Sequence, residues 1–383
     1  MIEPFALYVH MPYCRHVCPY CDFNVYASAT PPENAYTAAL IRELTAAAED
    51  DAWHGRPVGS VYVGGGTPSL FSVAAIGTLL DAVAHRFPVA AGAEVTLEAN
   101  PGTVSQAGLG GYRAAGVNRL SLGAQSFQPS HLSTLGRDHQ AGDTAVATAA
   151  ARAAGIANVS LDLMFAIPGQ SLADWEADLA TAVGLEPTHL SAYGLTYEER
   201  TPFHAWRARG RLVPVAEDDE AAMAEAAVVL LGRAGYARYE ISNFARPGFA
   251  SRHNTSYWTG ADYLGLGAGA HSFNQRPAPG RRWVNERTPA GYLAAVERAA
   301  SARATEEHLS EAAARAEFCF CGLRMTAGLD VRAFHRRFGT SLEASFPHLR
   351  GLVSDGLVEV AGDRVRLTAT GLRFADAVSA TFV

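Results

Sequence analysis

Three of the chain's five cysteines fall within eight residues: Cys14, Cys18 and Cys21, in the stretch HMPYCRHVCPYCDFN, are spaced C-x3-C-x2-C. Thiolates this close together suit metal binding. A tetrahedral zinc site takes four protein ligands, however, and no further Cys or His follows at a zinc-knuckle spacing. Zinc would need a ligand from elsewhere, with His10 and His16 the nearest in sequence. Three thiolates from one short loop instead suit three irons of a [4Fe-4S] cube and leave the fourth iron open. Cys319 and Cys321 lie two residues apart on an expected helix, about 200° around its axis, so they cannot grip one metal from one face. They are expected to be core residues.

An open iron asks for a ligand from outside the protein. GGGTP, residues 64–68, follows an expected strand with three glycines, which permit positive φ and close backbone approach to a ligand. A glycine turn after a strand is also common as plain structure. Beside an open iron, though, it gives the arrangement in which S-adenosylmethionine chelates a cluster through its amino and carboxylate groups. A second glycine run, YLGLGAGAHSF at 263–273, does not open a helix after the first strand of a βαβ unit, so it is no dinucleotide fingerprint. It reads as a tight turn that brings backbone near the cofactor, with His271 either packed or lining the site.

Composition narrows the chemistry. A net charge of −7 argues against a general nucleic-acid surface. All 31 basic side chains are Arg, which excludes Schiff-base lysines and Walker-type phosphate loops. No long apolar run or signal-like start is present, so neither a membrane span nor a secretory leader is expected, and a cytoplasmic protein with reduced thiols is.

The elements that must position these residues alternate regularly up to about residue 195. Six β-rich runs (FALYVH, SVYVGG, EVTLEA, RLSLGA, NVSLDLMF and HLSAYGL) are separated by Ala-rich stretches whose apolar residues recur at three and four. Read as near-continuously apolar strands joined by helical crossovers, they predict a parallel, partly closed (βα)6 sheet with function at the strands' C-terminal ends. Polar features fall there: the cysteines after strand one, GGGTP after strand two, EANP at strand three, AQSF after strand four, and Asp162 in strand five. The expected units are a core over 1–240, a loop-rich connection over 241–304 covering the barrel mouth, and a C-terminal unit over 305–383 of three helices and a small hairpin, resembling a winged helix.

YVHMPYCRHVCPYCDF, VYVGGGTPSL, VTLEANP, RLSLGAQSF and LDLMFAIPGQ, in this order, resemble the radical S-adenosylmethionine superfamily and, within it, the coproporphyrinogen III oxidase-like branch of HemN and HemW. The resemblance spans nearly the whole chain. It implies an α/β fold, a partial (β/α)6 barrel with a small α+β winged-helix-like C-terminal domain. It implies Cys14, Cys18 and Cys21 as ligands of a [4Fe-4S] cluster, with Tyr8 and Tyr20 as aromatic residues flanking the cofactor. Gly65, Gly66 and Thr67 would hold the amino group of S-adenosylmethionine, and Glu98, Gln125, Arg137 and Asp162 would contact the same molecule. In this superfamily the cluster passes an electron to the bound sulfonium, releasing methionine and a 5′-deoxyadenosyl radical.

Two departures from the HemN pattern bear on function. HemN continues with a cysteine two residues after the third, where this chain has Phe23, and it carries an extension ahead of strand one, which here begins within five residues of Met1. Both departures match HemW-like proteins, understood as haem chaperones. RHNTSYWTG contains His253-Asn254-x-x-Tyr257-Trp258, a pattern associated with haem in that branch. An imidazole is a good axial ligand, although a loop histidine beside Tyr and Trp also reads as a buried, hydrogen-bonded one. The resemblance therefore implies haem bound near His253 and passed to acceptor haemoproteins, respiratory enzymes among them, with peripheral membrane contact and no nucleic acid. The alternatives are an oxygen-independent coproporphyrinogen III dehydrogenase and a winged-helix regulator with a redox cluster as sensor.

Overall fold

A computed structural model describes residues 3–383 of the chain. Its strands and helices follow the alternation of the sequence: β1 (Phe5–Met11), α1 (Glu33–Ala48), β2 (Val58–Gly65), α2 (Val73–Arg86), β3 (Val89–Ala99), α3 (Gln106–Ala114) and β4 (Arg119–Gln125). Then come α4 (Asp143–Ala153), β5 (Asn158–Phe165), α5 (Leu172–Gly184), β6 (His189–Gly194) and α6 (Glu217–Arg233). Strands β1 to β6 pair in parallel, each with its sequence neighbour. Several crossover helices begin at a serine whose hydroxyl accepts an otherwise orphaned N–H: Ser72 from Ala75, Ser105 from Gly108, and Ser171 from Asp174 in a capping box.

The strands are not apolar throughout. Alternate residues point to opposite faces. Leu7, Val9, Val61, Val63, Leu97, Leu120, Leu122, Val159, Leu161, Leu163 and Leu190 are buried in the main core with the crossover helices. The other face carries Tyr8, Tyr62, Glu98, Arg119, Ser121, Ser160, Asp162, Ser191 and Tyr193. The expectation of near-continuously apolar strands is thus corrected to a strict alternation with a polar concave face. Such a face is tolerable only because its groups bond to one another and to whatever occupies the space they enclose.

Residues 241–304 do more than connect. They contain β7 (Asn243–Ala245), α7 (Arg252–Trp258), β8 (Tyr263–Leu266), β9 (His271–Asn274), β10 (Arg281–Asn285) and α8 (Pro289–Ala299), followed by β11 (Arg303–His308). β7 pairs antiparallel with β6. β8 pairs in parallel with the far side of β1, and β9, β10 and β11 extend the sheet antiparallel from there. The described residues thus form a twelve-stranded sheet in which the six-stranded half-barrel is one part. The segment expected from composition to be loop-rich keeps its loops but also carries these strands and helices, and the strands escape notice because runs of three to five residues are too short to show a period. β11, RATEEH, is exposed along its length, and its charges protect the edge from adding another strand.

The turn between β8 and β9 locks onto the exit of β1. A side chain at Gly267 would lie 2.5 Å from the His10 carbonyl, and one at Gly269 2.5 Å from the Asn24 amide nitrogen. Asn24 donates to the carbonyls of Ala268 and Arg287, and buried Glu43 of α1 accepts from Gly267 N–H, Asn285 and Tyr292. The C-terminal unit packs α9 (Glu311–Gly322), α10 (Val331–Phe338) and α11 (Leu349–Ser354) on the hairpin β12 (Val358–Ala361) and β13 (Arg364–Leu367). Its own core includes Cys319, Leu323, Phe334, Leu349, Val365 and Phe382. Arg324 ties it to the barrel through Glu240 at 3.3 Å.

Candidate functional site

The cysteine loop leaves β1 and is held as a compact unit. Tyr13–Cys14 makes a short parallel ladder with Tyr26–Ala27, and Cys21 N–H donates to the Cys18 carbonyl. The glycine turn at the end of β2 packs directly against it: Gly66 N–H donates to Met11 O and Thr67 N–H to Tyr13 O, each at 2.8 Å. A side chain at Gly66 would meet the Tyr13 carbonyl at 2.6 Å, and one at Gly65, where φ is +114°, would strike the His10 ring. Gly65 N–H donates to Glu98 Oε2 at 2.9 Å. All three N–H groups of the turn are therefore engaged within the protein, and what it can present to a ligand is carbonyl oxygen, which suits an ammonium and not a phosphate.

Cys14, Cys18, Cys21, Tyr20, Gly65, Gly66, Thr67, Glu98, Gln125, Arg137 and Asp162 all line one cavity of about 520 Å³ at the C-terminal ends of the strands. Its size lies within the ordinary range for small-molecule sites. Burial pushes the Cys14 thiol up, against a hydrogen bond from Thr67 Oγ1 at 3.5 Å, and takes Cys21 to about 11. Thiols so placed ionise when a cationic centre takes the proton's place. His16 and His10, the nearby candidates for a fourth zinc ligand, are committed elsewhere. His16 Nε2 lies 2.6 Å from Gly136 O, and the His10 ring is bonded to Tyr8 Oη and Asn24 O.

The polar wall opposite the thiols is a network. Tyr62 donates to Glu98 Oε1 at 2.6 Å. Asp162 accepts from Ser121 and Ser191 at 2.9 and 2.7 Å and from Ser160 at 3.3 Å, so one carboxylate on β5 joins the neighbouring strands on both sides. Burial raises both carboxyls, while their hydrogen bonds and the Arg119 charge lower them. Arg137 donates to Asn100 Oδ1 at 2.8 Å and Gly123 O at 2.9 Å, and lies 3.7 Å from Cys18 Sγ. Its buried Nε has no partner, nor has that of Arg119, which is 1% exposed. Two guanidiniums held among thiols and carboxyls fit a ligand that carries a carboxylate of its own. Gln125 enters the cavity from a left-handed conformation, φ 63°, at an irregularity in the β4–β5 register.

Tyr62, Asn100, Arg119, Ser121, Ser191 and Tyr193 also line this cavity and were not picked out from sequence. The alternation of the strands would have found most of them, since Tyr62, Arg119, Ser121, Ser191 and Tyr193 occupy the same face as Glu98 and Asp162.

Two expected residues lie elsewhere. Tyr8 lines a second cavity, also about 520 Å³, which shares Phe23, Gly65 and Glu98 with the first. His253 is only 1% exposed and lines neither cavity. Its Nδ1 is 3.0 Å from Ser60 Oγ and its Nε2 2.8 Å from Tyr257 Oη. Burial and the Arg119 charge bring it down to about 3. In this conformation both nitrogens of the His253 ring, the residue expected to ligate haem iron, are engaged by Ser60 and Tyr257. Cys319 is fully buried and Cys321 half-buried in the C-terminal unit, apart from the thiols of the barrel.

Residues 8–182 match the radical SAM superfamily, and residues 309–374 match the HemN C-terminal domain. The chain is 36% identical to the heme chaperone HemW of Bacillus subtilis, covering 99% of each protein. It is 43% identical to the HemW of Escherichia coli over 76% of each, and 38% identical to that of Mycobacterium tuberculosis over 100% of this chain and 95% of the relative. Among solved structures, coproporphyrinogen III oxidase (HemN) from Escherichia coli, a radical SAM enzyme, superposes with a TM-score of 0.84 at 22% identity, covering 100% of this chain and 90% of that one.

Proposed function

The chain belongs to the HemW family of the radical SAM superfamily, and from that premise we propose that it binds haem and hands it to acceptor haemoproteins, carrying a [4Fe-4S] cluster and S-adenosylmethionine as it does so. The observation that carries the chaperone reading over the oxidase reading is Phe23. It stands where the HemN pattern has a further cysteine, is 68% exposed, and forms part of the wall common to the two cavities. An exposed aromatic ring there offers an apolar face to a flat macrocycle.

Cys14, Cys18 and Cys21 would hold three irons, and the cluster supplies a low-potential electron when bound. The carbonyls of the Gly65–Thr67 turn and the Glu98 carboxyl would take the cofactor's ammonium. Arg137 and Arg119 would face its carboxylate, and Asp162 or Gln125 a ribose hydroxyl. Tyr20 would cover the cluster side. Among the described residues no helix is long and apolar enough to cross a membrane. The working compartment proposed is the cytoplasm, with delivery to acceptors at the membrane surface.

Anaerobically reconstituted protein, incubated with reductant, S-adenosylmethionine and coproporphyrinogen III, should cleave the cofactor without releasing a decarboxylated tetrapyrrole. Stoichiometric decarboxylation would sink the chaperone reading and install the dehydrogenase.

A further inference from the structure

S-adenosylmethionine can chelate an open iron here only if the cysteine loop and the glycine turn at 65–67 stand at the right offset, because the cofactor has to reach both at once. On the Cys21 side the loop's side-chain anchor is Asn24. Both hydrogens of the Asn24 amide are engaged, by Ala268 O and Arg287 O at 2.9 Å each, and Oδ1 accepts from Tyr26 at 3.2 Å. The Asn24 carbonyl is bonded to His10 Nε2 at 2.9 Å, and the His10 ring lies directly against Gly65. One residue thus connects the end of the cysteine loop, through an imidazole, to the glycine turn.

Asn24 grips the β8–β9 turn, 244 residues further along the chain. The fit is close: a side chain at Gly269, where φ is +70°, would meet the Asn24 amide nitrogen at 2.5 Å. The turn is supported in its place by Glu43 of α1, which is 7% exposed. Glu43 Oε2 accepts from Gly267 N–H at 3.0 Å and from Tyr292 at 2.8 Å, and Oε1 accepts from Asn285 at 2.6 Å. Asn285 Nδ2 also donates to Gly267 O at 3.0 Å, so its amide cannot turn over without setting oxygen against oxygen. Burial pushes the Glu43 carboxyl up to about 7, opposed by these three hydrogen bonds, and among the described residues no cation pairs with it. A buried carboxylate held by hydrogen bonds alone is costly, and all of its bonds here brace the turn and the elements beside it. None of Asn24, Glu43, Gly267 and Asn285 lines the cavity of the thiols, so they act on it only through the loop.

We propose that Glu43 and Asn24 are positioning residues of the iron–sulfur loop. Glu43 fixes the 267–269 turn, the turn fixes Asn24, and Asn24 sets the cluster at the offset from Gly65–Thr67 that S-adenosylmethionine spans. The inference rests on the cluster assigned to Cys14, Cys18 and Cys21. It gives the glycines of the β8–β9 turn the task of holding the loop, not the ligand.

Wild type, Asn24→Leu, Gly269→Ala and Glu43→Gln are reconstituted with iron and sulfide at about pH 8.5, where Glu43 is ionised. Tyr236→Phe is the control for a lost buried hydrogen bond, since its hydroxyl donates to Pro187 O at 2.7 Å, ahead of β6 and away from the loop. The readouts are iron content, the electron paramagnetic resonance signal of the reduced cluster with and without S-adenosylmethionine, and the Kd of that cofactor. Leucine matches asparagine in size but donates nothing. In Glu43→Gln either placement of the amide sets its NH2 against a fixed N–H, of Gly267 or of Asn285. These three variants should keep their iron, because the thiols are intact, yet bind S-adenosylmethionine ~10-fold or more weakly and show a smaller change of signal when it is added. Tyr236→Phe should match wild type in both. If Asn24→Leu loses its iron, Glu43→Gln and Gly269→Ala decide, since in them every loop residue is native. Wild-type affinity and signal in Asn24→Leu and Glu43→Gln would overturn the inference, as would an equal loss in Tyr236→Phe. Wild type that assembles no cluster would instead sink the reading on which it rests.

Discussion

His253 Nε2 and the Tyr257 hydroxyl lie 2.8 Å apart on one turn of α7, with Ser60 Oγ closing the other side of the ring at 3.0 Å. The Tyr62 ring stacks on the imidazole at a centroid distance of 5.0 Å. The motif His-Asn-x-x-Tyr-Trp thus acts here as packing between α7 and β2. Glu94 on β3 fixes the start of the same helix by accepting from the N–H groups of Arg252 and His253.

Replacing this ring should therefore cost stability. His253→Gln leaves at least one of Ser60 and Tyr257 without a buried partner, a loss of roughly 1–3 kcal/mol. Urea denaturation should show a lowered midpoint with an unchanged slope. An unchanged midpoint would mean that the ring is not the core contact described.

The same substitution has a pH signature. Burial first, then Arg119, holds the folded His253 at about 3, far below the ordinary value near 6.5. The ring stays neutral in the native state and takes a proton only on unfolding. Its contribution to stability is complete above about pH 6.5 and is lost as pH falls toward 3, at up to about 1.4 kcal/mol per pH unit. His139, at about 4, and His189, well below its ordinary value, act in the same sense. Buried Glu98 and Asp162, shifted upward, oppose them. The difference between wild type and His253→Gln isolates the one group: the variant's stability should decline less steeply from about pH 6.5 to 4.5. Parallel stability profiles would contradict a buried neutral imidazole.

How far the sequence reached depends on what each signal encodes. Cysteine spacing is local, so the loop holding Cys14, Cys18 and Cys21 was legible, as were the six long strands. Only part of the polar face is legible: Glu98 and Asp162 stand out as carboxylates, whereas Tyr62 and Arg119, at every second place on the same face, are hidden because Val, Leu and Ile are so dense in those strands that the runs read as apolar. The strands between Asn243 and His308 were illegible for another reason: at three to six residues each, they are defined by pairing partners distant in sequence. The histidines show the limit most clearly. Neighbouring Tyr and Trp single out His253 in the sequence, yet the hydroxyls of Ser60 and Tyr257 that engage its ring are brought there only by packing.

The two groups of cysteines should separate cleanly. Alanine at Cys14, Cys18 or Cys21 should each prevent assembly of the cluster, read as loss of bound iron and visible absorption after reconstitution, because each thiol lines the same cavity. Cys319→Ala should retain the iron and lower stability by roughly 1–2 kcal/mol, since its fully buried sulfur fills space in the C-terminal core. Retained iron in the first three variants would remove the cluster from this loop.

Asp162 tests the opposite wall. Three serine hydroxyls, from β4, β5 and β6, converge on its two oxygens, and Arg119 supplies the nearest favourable charge. Asparagine preserves the shape but removes the charge and sets an amide NH2 against hydroxyls that were donating. The serines can rotate to accept from it, so the fold should survive. A ligand hydroxyl that relied on the carboxylate loses a charge-assisted hydrogen bond, about 1.5–3 kcal/mol, or roughly 10- to 100-fold in affinity. Equilibrium dialysis of S-adenosylmethionine against reconstituted Asp162→Asn should show that loss at undiminished iron content. Wild-type affinity in the variant would mean that Asp162 serves only to join the three strands, and the ribose contact would then fall to Gln125, which enters the cavity from the end of the adjacent strand β4.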